Sequence, residues 1–162
     1  MITMNKLEEL SKKDKANYQL YLKRMTESMK YSTKGLIPIL ASEAENILDV
    51  GCGSGVMLNA LEKNNHKAIL TGLDLNVEAI NKLKMLGKDW KLYHMDFMDL
   101  SKVKYDAIIF SSILHEISSY YPDIDLRFTD IPIYQALLKA NALLKKDGFI
   151  VLRDGLLVSK NN

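Results

Sequence analysis

Three glycines stand at alternate positions directly after a short apolar run in the first third of the chain. The run covers residues 47–50, and the glycines are Gly51, Gly53 and Gly55. A short aliphatic run predicts a buried strand, and glycines after it permit a tight turn and close approach of the backbone to a ligand. Open α/β sheets bind their ligands at such strand-to-helix turns. This feature therefore predicts an α/β fold with a ligand site on the loop.

The rest of the chain supports a parallel sheet, because short β-branched and aliphatic runs alternate with helical stretches. Asn76 is the expected N-cap of one helix, and Gly87 is its expected stop. The expected fold is a doubly wound, mostly parallel sheet of about five strands with helices on both faces. The predicted strands cover residues 47–50, 69–74, 91–95, 105–110 and 148–153, and the main predicted helices cover 55–64, 76–86 and 131–145.

The start of the chain has a different character from the core. Residues 5–34 hold eight basic and four acidic side chains, a net of +4, while the whole chain of 162 residues carries only +2. Apolar residues recur there at helical spacing, which predicts an N-terminal helical lid over residues 1–34 ahead of a core over 35–162. The small total charge gives only weak support for a nucleic-acid partner.

The single cysteine, Cys52, excludes an intrachain disulfide and a zinc site with paired thiolates, so no metal site is expected. No apolar stretch reaches the roughly 18 residues that a membrane helix needs, and the first residues lack the apolar region of a signal peptide. We therefore expect a cytoplasmic protein with no membrane partner.

The spacing of the glycine loop narrows the choice of ligand. A dinucleotide-binding loop has the pattern Gly-x-Gly-x-x-Gly, whereas the third glycine here, Gly55, comes one residue early. Asp49 adds a carboxylate just before the loop, which attracts an ammonium group and repels a pyrophosphate. An amino acid-like ligand is favoured over a nicotinamide dinucleotide, and a turn without any ligand is the remaining alternative.

Two more acids follow the next two predicted strands. Asp74 ends the second strand at the same sheet edge and could accept hydrogen bonds from both hydroxyls of a ribose, although a solvated strand-end acid is the alternative. Asp96 could accept from an adenine amino group while Phe97 covers the ring. A loop carboxylate beside a core phenylalanine is nearly as well supported.

Taken in order, these motifs resemble the class I S-adenosylmethionine-dependent methyltransferases over roughly residues 30–154. The segments that carry the resemblance are residues 47–55, 72–74, 95–97, 105–110 and 144–149. It implies a Rossmann-like core, S-adenosylmethionine as cofactor, a glycine loop around the methionine part, and Ser111 beside the methionine end. The expected cofactor-binding residues are Asp49, Gly51, Cys52, Gly53, Gly55, Asp74, Leu75, Asp96, Phe97 and Ser111.

Methyl transfer needs a proton acceptor only if the acceptor molecule must lose a proton. His115 and Glu116, after the fourth predicted strand, are the candidates, although His115 could equally be a packed or surface residue. The connection over residues 120–128 could shape an acceptor pocket or be a packed surface loop. Arg153-Asp154, at the end of the fifth strand, could meet a polar acceptor or pair internally.

The resemblance leaves the acceptor open. A small molecule is favoured, an RNA or protein acceptor that docks on the basic N-terminal segment is the second choice, and a non-catalytic S-adenosylmethionine-binding module is the third. The family usually continues after the fifth strand into an antiparallel hairpin, whereas this sequence stops at Asn162. We therefore expect residues 149–152 to lie on an exposed edge and to form a homodimer through residues 148–158.

Overall fold

The computed structural model describes residues 33–120 and 130–155, together with Arg24 and Glu27. The chain divides into two compact units, Met1–Gly35 and Leu36–Asn162. The predicted division into a lid over 1–34 and a core over 35–162 stays a prediction. Most of the predicted lid over 1–34 and most of the predicted acceptor loop over 120–128 lie outside the described residues. The last residues of the predicted dimer segment, 156–158, lie outside them as well.

Five strands form a single parallel sheet in the described part of the chain, in the order β3-β2-β1-β4-β5. The order reverses between β1 and β4, and such a switch point opens a crevice at the carboxyl ends of the strands. The prediction of a doubly wound parallel sheet is confirmed. The strands are β1 (Asn46–Val50), β2 (Ile69–Asp74), β3 (Lys91–His94), β4 (Tyr105–Ser111) and β5 (Leu144–Arg153).

Five α-helices accompany the sheet in the described part of the second unit. They are α1 (Ile37–Leu40), α2 (Val56–Asn64), α3 (Val77–Lys84), α4 (Leu114–Tyr120) and α5 (Ile131–Leu143), with short 3₁₀ turns at Thr33–Leu36 and Phe97–Asp99. Asn76 caps α3 as predicted, because its Oδ1 accepts from the N–H groups of Glu78 at 2.9 Å and Ala79 at 3.1 Å. Pro132 lies in the first turn of α5, where a missing N–H leaves no helical bond unmade.

Side chains alternate between the two faces of the sheet, and helices cover both. Leu48 and Ile108 are fully buried and belong to a core cluster that includes residues of α4 and α5. On the opposite face, a Cβ added at Gly72 would lie 2.8 Å from Leu58 Cδ1 of α2. Strands buried on both faces read as continuous apolar runs, which is why the sequence pattern located them.

The fifth strand begins earlier than predicted. We expected α5 to reach residue 145 and the strand to begin at 148, but pairing with β4 already starts at Leu144. The register then shifts, and Asp147 adopts a left-handed backbone with φ of 65°. The residues between the predicted helix and the predicted strand thus form a bulge within the strand, which an Asp in the left-handed region accommodates.

A carboxylate ties three strands together at the amino edge of the sheet. Asp106 Oδ2 of β4 accepts from Asn46 N of β1 at 2.8 Å and from Lys145 Nζ of β5 at 2.9 Å. Burial alone would raise the pKa of Asp106, but the hydrogen bonds from Lys145 and Asn46 outweigh it and hold the pKa below its usual range. This cluster lies at the opposite edge from the crevice.

Candidate functional site

A cavity of about 510 Å³ opens at the carboxyl edge of the sheet, within the size range of small-molecule sites. Its walls come from the ends of β1 and β2, the turn after β3, and the helices α4 and α5. Six of the residues predicted from the sequence line it: Gly51, Asp74, Leu75, Asp96, Phe97 and Glu116. The other six, Asp49, Cys52, Gly53, Gly55, Ser111 and His115, are not among the lining residues.

The glycine loop is fastened to the neighbouring strand through its backbone. The N–H groups of Gly51 and Cys52 both donate to the carbonyl of Leu73, at 2.9 and 3.0 Å. Gly51, Gly53 and Gly55 all have left-handed backbones, with φ of 70°, 49° and 74°. Residues with a Cβ rarely adopt this conformation, so the loop geometry requires glycine.

The surroundings of the three glycines differ. A Cβ on Gly51 would lie 2.6 Å from Ile113 Cδ1, and a Cβ on Gly55 would lie 2.6 Å from Leu83 Cδ2. A Cβ on Gly53 would meet no atom within 4 Å among the residues that the structure describes. Gly51 and Gly55 are therefore needed for packing inside the protein, whereas Gly53 faces open space.

Asp74 joins the loop to the end of β2. Its Oδ2 accepts from Gly53 N at 2.7 Å, and its Oδ1 accepts from Asn76 N at 2.8 Å. Each carboxylate oxygen has a second lone pair, so both can still accept a hydroxyl from a ligand. Asp74 therefore shapes the loop and presents a bidentate acceptor at the cavity wall.

The turn after β3 holds the second acidic candidate. Asp96 Oδ1 accepts from Met98 N at 2.8 Å and so caps the Phe97–Asp99 turn. Phe97 is 4% exposed and packs edge-on against Phe110, with the ring centroids 5.4 Å apart. Phe97 is thus a core residue that also forms part of the cavity wall.

Asp49 and Cys52 lie deeper than the sequence suggested. Asp49 is 2% exposed, and its register partner on β2 is Gly72, on the face that α2 covers. Cys52 is also buried, and burial followed by the charges of Asp49 and Asp74 raises the pKa of its thiol. Burial and these two charges therefore disfavour the thiolate form of Cys52.

Ser111 ends β4 at the switch point. Its Oγ is buried and has no hydrogen-bond partner among the described residues. The next residue, Ser112, has a left-handed backbone with φ of 62°, and its Oγ accepts from Arg153 Nη1 at 2.5 Å. Arg153 is thus bonded to the chain that leads into α4.

His115, Glu116 and Asp154 form a cluster beside the cavity. His115 Nδ1 lies 2.7 Å from Asp154 Oδ1, and His115 Nε2 lies 4.0 Å from Glu116 Oε1. Burial alone would raise the pKa of Asp154, but hydrogen bonds from Gly155 N and from His115 outweigh it and hold the pKa below its usual range. Of the two roles considered for Asp154, the structure shows the internal pairing.

Sequence reasoning missed much of the apolar wall. Asn76 was predicted as a helix cap, but its place at the cavity was not foreseen. The apolar lining residues carry no chemical signature, and only their positions next to the predicted acids could have indicated them. The lining residues that were not among the predicted site residues are Val50, Leu73, Asn76, Met95, Met98, Ile113, Ile117 and Ala136.

Within the described ranges, no group of three or more His, Cys, Asp or Glu side chains is arranged to hold a metal ion. A search of the same residues for helices with the length and apolarity of a membrane span finds none. The cytoplasmic location stays a prediction.

Solved structures with this fold include several methyltransferases. The plantazolicin methyltransferase BpumL, in complex with a desmethylPZN analog and SAH (S-adenosylhomocysteine), is 24% identical, with a TM-score of 0.58 over 91% of this chain and 52% of that one. A sugar N-methyltransferase from Streptoalloteichus is 16% identical, with a TM-score of 0.58 over 72% of this chain and 45% of that one. The N-methyltransferase NodS from Bradyrhizobium japonicum is 17% identical, with a TM-score of 0.59 over 77% and 66%.

The chain thus spans about half the length of the first two structures. A comparison with curated proteins finds no match. A sequence model described as a methyltransferase domain matches residues 48–150, which is more than half of the chain and includes β1 through most of β5. The match confirms the resemblance read from the motifs, and the chain belongs to the methyltransferase domain family.

Proposed function

We propose that this chain binds S-adenosylmethionine in the cavity at the carboxyl edge of the sheet and transfers its methyl group to an acceptor. The observation that carries the proposal is that Gly51 of the left-handed glycine loop lines the same cavity as Asp74 and Asp96. The SAH bound to a solved neighbour of the same fold supports the choice of ligand.

The residues present fit this ligand in three respects. The cavity volume of about 510 Å³ lies in the range that holds a nucleoside-sized molecule. Both oxygens of Asp74 retain acceptor capacity for the ribose hydroxyls. The open space at Gly53 leaves room for a ligand to approach the backbone, and no side chain of the described residues fills it.

When bound, S-adenosylmethionine supplies a methyl group that its sulfonium already activates. The protein then has to hold the acceptor in line and exclude water. Glu116 on the cavity wall and His115 beside it are the proposed proton acceptors for an acceptor molecule that must lose a proton. Of the two, the position of Glu116 on the lining favours it for direct contact.

A small-molecule acceptor is the proposal that the solved neighbours support, since they include a plantazolicin methyltransferase and a sugar N-methyltransferase. The low net charge of +2 agrees with it. An RNA or protein acceptor and a non-catalytic binding module are the alternatives, and each gives a different result in the test below.

The proposal is tested by calorimetry with S-adenosylhomocysteine, followed by a transfer screen with methyl-labelled S-adenosylmethionine and pools of small molecules, peptides and RNA. We expect saturable 1:1 binding, no binding of NADH, and label in the small-molecule pool. Label in the RNA or peptide pool would redirect the acceptor, and binding without transfer would indicate a binding module. Absence of binding would refute the proposal.

We also propose self-association through β5, which is the outermost described strand on its side of the sheet. Phe149 and Leu152 are 38% and 50% exposed there and line a groove with Leu40. Apolar sheet edges pair with other edges. Light scattering over a dilution series should show a dimer that Leu152→Lys weakens, and a monomer at high concentration would contradict the proposal.

A further inference from the structure

The carboxylate of Asp154, directly after β5, accepts hydrogen bonds from the first N–H groups of α4. Asp154 Oδ2 accepts from Leu114 N at 2.8 Å and from His115 N at 3.3 Å, and its Oδ1 lies 2.7 Å from His115 Nδ1. The first N–H groups of a helix have no acceptor within the helix. Asp154 supplies that acceptor from 40 positions along the chain, and its side chain is only 12% exposed, whereas the His115 side chain is 59% exposed.

The segment held in this way forms one wall of the cavity. Ile113, Glu116 and Ile117 all line it. The turn into α4 is fastened to the same strand end, because Ser112 N donates to the Arg153 carbonyl at 2.7 Å. Displacing the start of α4 would therefore move a wall of the cavity.

The same carboxylate selects the tautomer of His115. A carboxylate accepts and does not donate, so a ring nitrogen 2.7 Å from Asp154 Oδ1 carries the proton. In the neutral ring the other nitrogen, Nε2, then holds the lone pair. Nε2 lies 4.0 Å from Oε1 of Glu116. The nitrogen able to take a proton is thus the one beside the acidic side chain of the cavity wall.

We propose that Asp154 is a positioning residue, which holds the α4 wall of the cavity and keeps His115 in the tautomer whose Nε2 accepts protons. This inference rests on the proposed function, since the wall belongs to the proposed S-adenosylmethionine site. Asp154 itself is not among the lining residues and acts through α4 and His115.

Two substitutions separate the two roles. In Asp154→Asn the amide oxygen can still cap α4, but the NH₂ group then faces His115 Nδ1 and favours the tautomer with the proton on Nε2. In Asp154→Ala both roles are lost. Asp147→Asn is the matched control, because it removes an exposed carboxylate from the same strand near its other end.

The readouts are the ¹⁵N shifts of the His115 ring, assigned with His115→Gln, and calorimetric titration with S-adenosylhomocysteine. We expect Nδ1–H in the wild type and in Asp147→Asn, and Nε2–H in Asp154→Asn with affinity within about two-fold of the wild type. Asp154→Ala should bind about five-fold more weakly, as the loss of a helix cap implies.

An unchanged tautomer in Asp154→Asn, or unchanged affinity in folded Asp154→Ala, overturns the positioning role while leaving the proposed function intact. A wild type that does not bind S-adenosylhomocysteine overturns the proposed function, and the inference with it. If Asp154→Ala does not fold, the tautomer in Asp154→Asn decides the question.

Discussion

The two halves of the carboxyl edge are built from contacts of very different range. On the β1–β2 side, the loop is fixed by backbone bonds and by Asp74, which lies 21 positions from its partner Gly53. On the β4–β5 side, the start of α4 is fixed by side chains 40 or 41 positions away, Asp154 and Arg153. The first arrangement follows from glycines and a strand-end acid, whereas the second depends on how two distant segments meet.

Among the substitutions that test this comparison, the largest loss of stability is expected at Gly55. Alanine there meets both a left-handed backbone and a contact of 2.6 Å with Leu83 Cδ2. We expect Gly55→Ala to lower the free energy of unfolding by about 2–4 kcal/mol, combining backbone strain with overpacking. Urea denaturation measures this loss, and a loss below about 1 kcal/mol would show that the loop is less constrained than its contacts indicate.

The next effect concerns binding on the β1–β2 side. Asp74→Ala removes the proposed ribose acceptor and the bond to Gly53 N, so S-adenosylhomocysteine affinity should fall by about 1.5–3 kcal/mol. Asp99→Ala, which removes an exposed carboxylate from the nearby 3₁₀ turn, is the control and should bind like the wild type. If folded Asp74→Ala and the wild type bind S-adenosylhomocysteine with equal affinity in calorimetry, the ribose does not bind at Asp74.

Gly53 tests whether the open space is a ligand position. The backbone strain of Gly53→Ala should lower the free energy of unfolding by about 1–2 kcal/mol, less than at Gly55, because its Cβ meets no atom in the described part of the chain. If a ligand lies against this loop, affinity for S-adenosylhomocysteine should also fall by several-fold. A variant that loses stability but keeps full affinity would place the ligand away from Gly53.

The smallest effect is expected at the amino edge, away from both halves of the site. Lys145→Met removes a partner of Asp106 and should lower the free energy of unfolding by about 0.5 kcal/mol, since both side chains are partly exposed to water. Lys146→Met, at an exposed neighbouring position, serves as control.

The pH dependence of this difference follows from the lowered pKa of Asp106. A folded-state pKa below the unfolded value of roughly 3.9 gives stability that is present above that value and lost as the pH falls through the folded pKa. The difference in free energy of unfolding between the wild type and Lys145→Met should therefore have its full size at pH 6 and become smaller below about pH 4. A gap that is constant from pH 6 to pH 2 would show that the ion pair contributes nothing.

The sequence predicted the features that short-range contacts determine, and it missed those that depend on long-range contacts. Short apolar runs located the strands, and Asn76 was identified as a cap because the capping contacts lie within three residues of it. The sequence does not predict the early start of β5 or the bulge at Asp147, because pairing of Leu144 with Tyr105 is a long-range contact. Ile113 and Ala136 carry no local sign of a cavity, so only the folded chain shows that they line it.

Mapping amide shifts in ¹⁵N spectra as S-adenosylhomocysteine is added tests most directly whether the glycine loop and Asp74 form the ligand site. We expect saturable shifts centred on Gly51, Gly53, Leu75 and Asp96, weaker shifts at the start of α4, and none at the Asp106 cluster. Saturable shifts centred instead on the groove of Leu40 and Phe149, or no saturable shift at any concentration, would contradict the claim that the glycine loop and Asp74 form the ligand site.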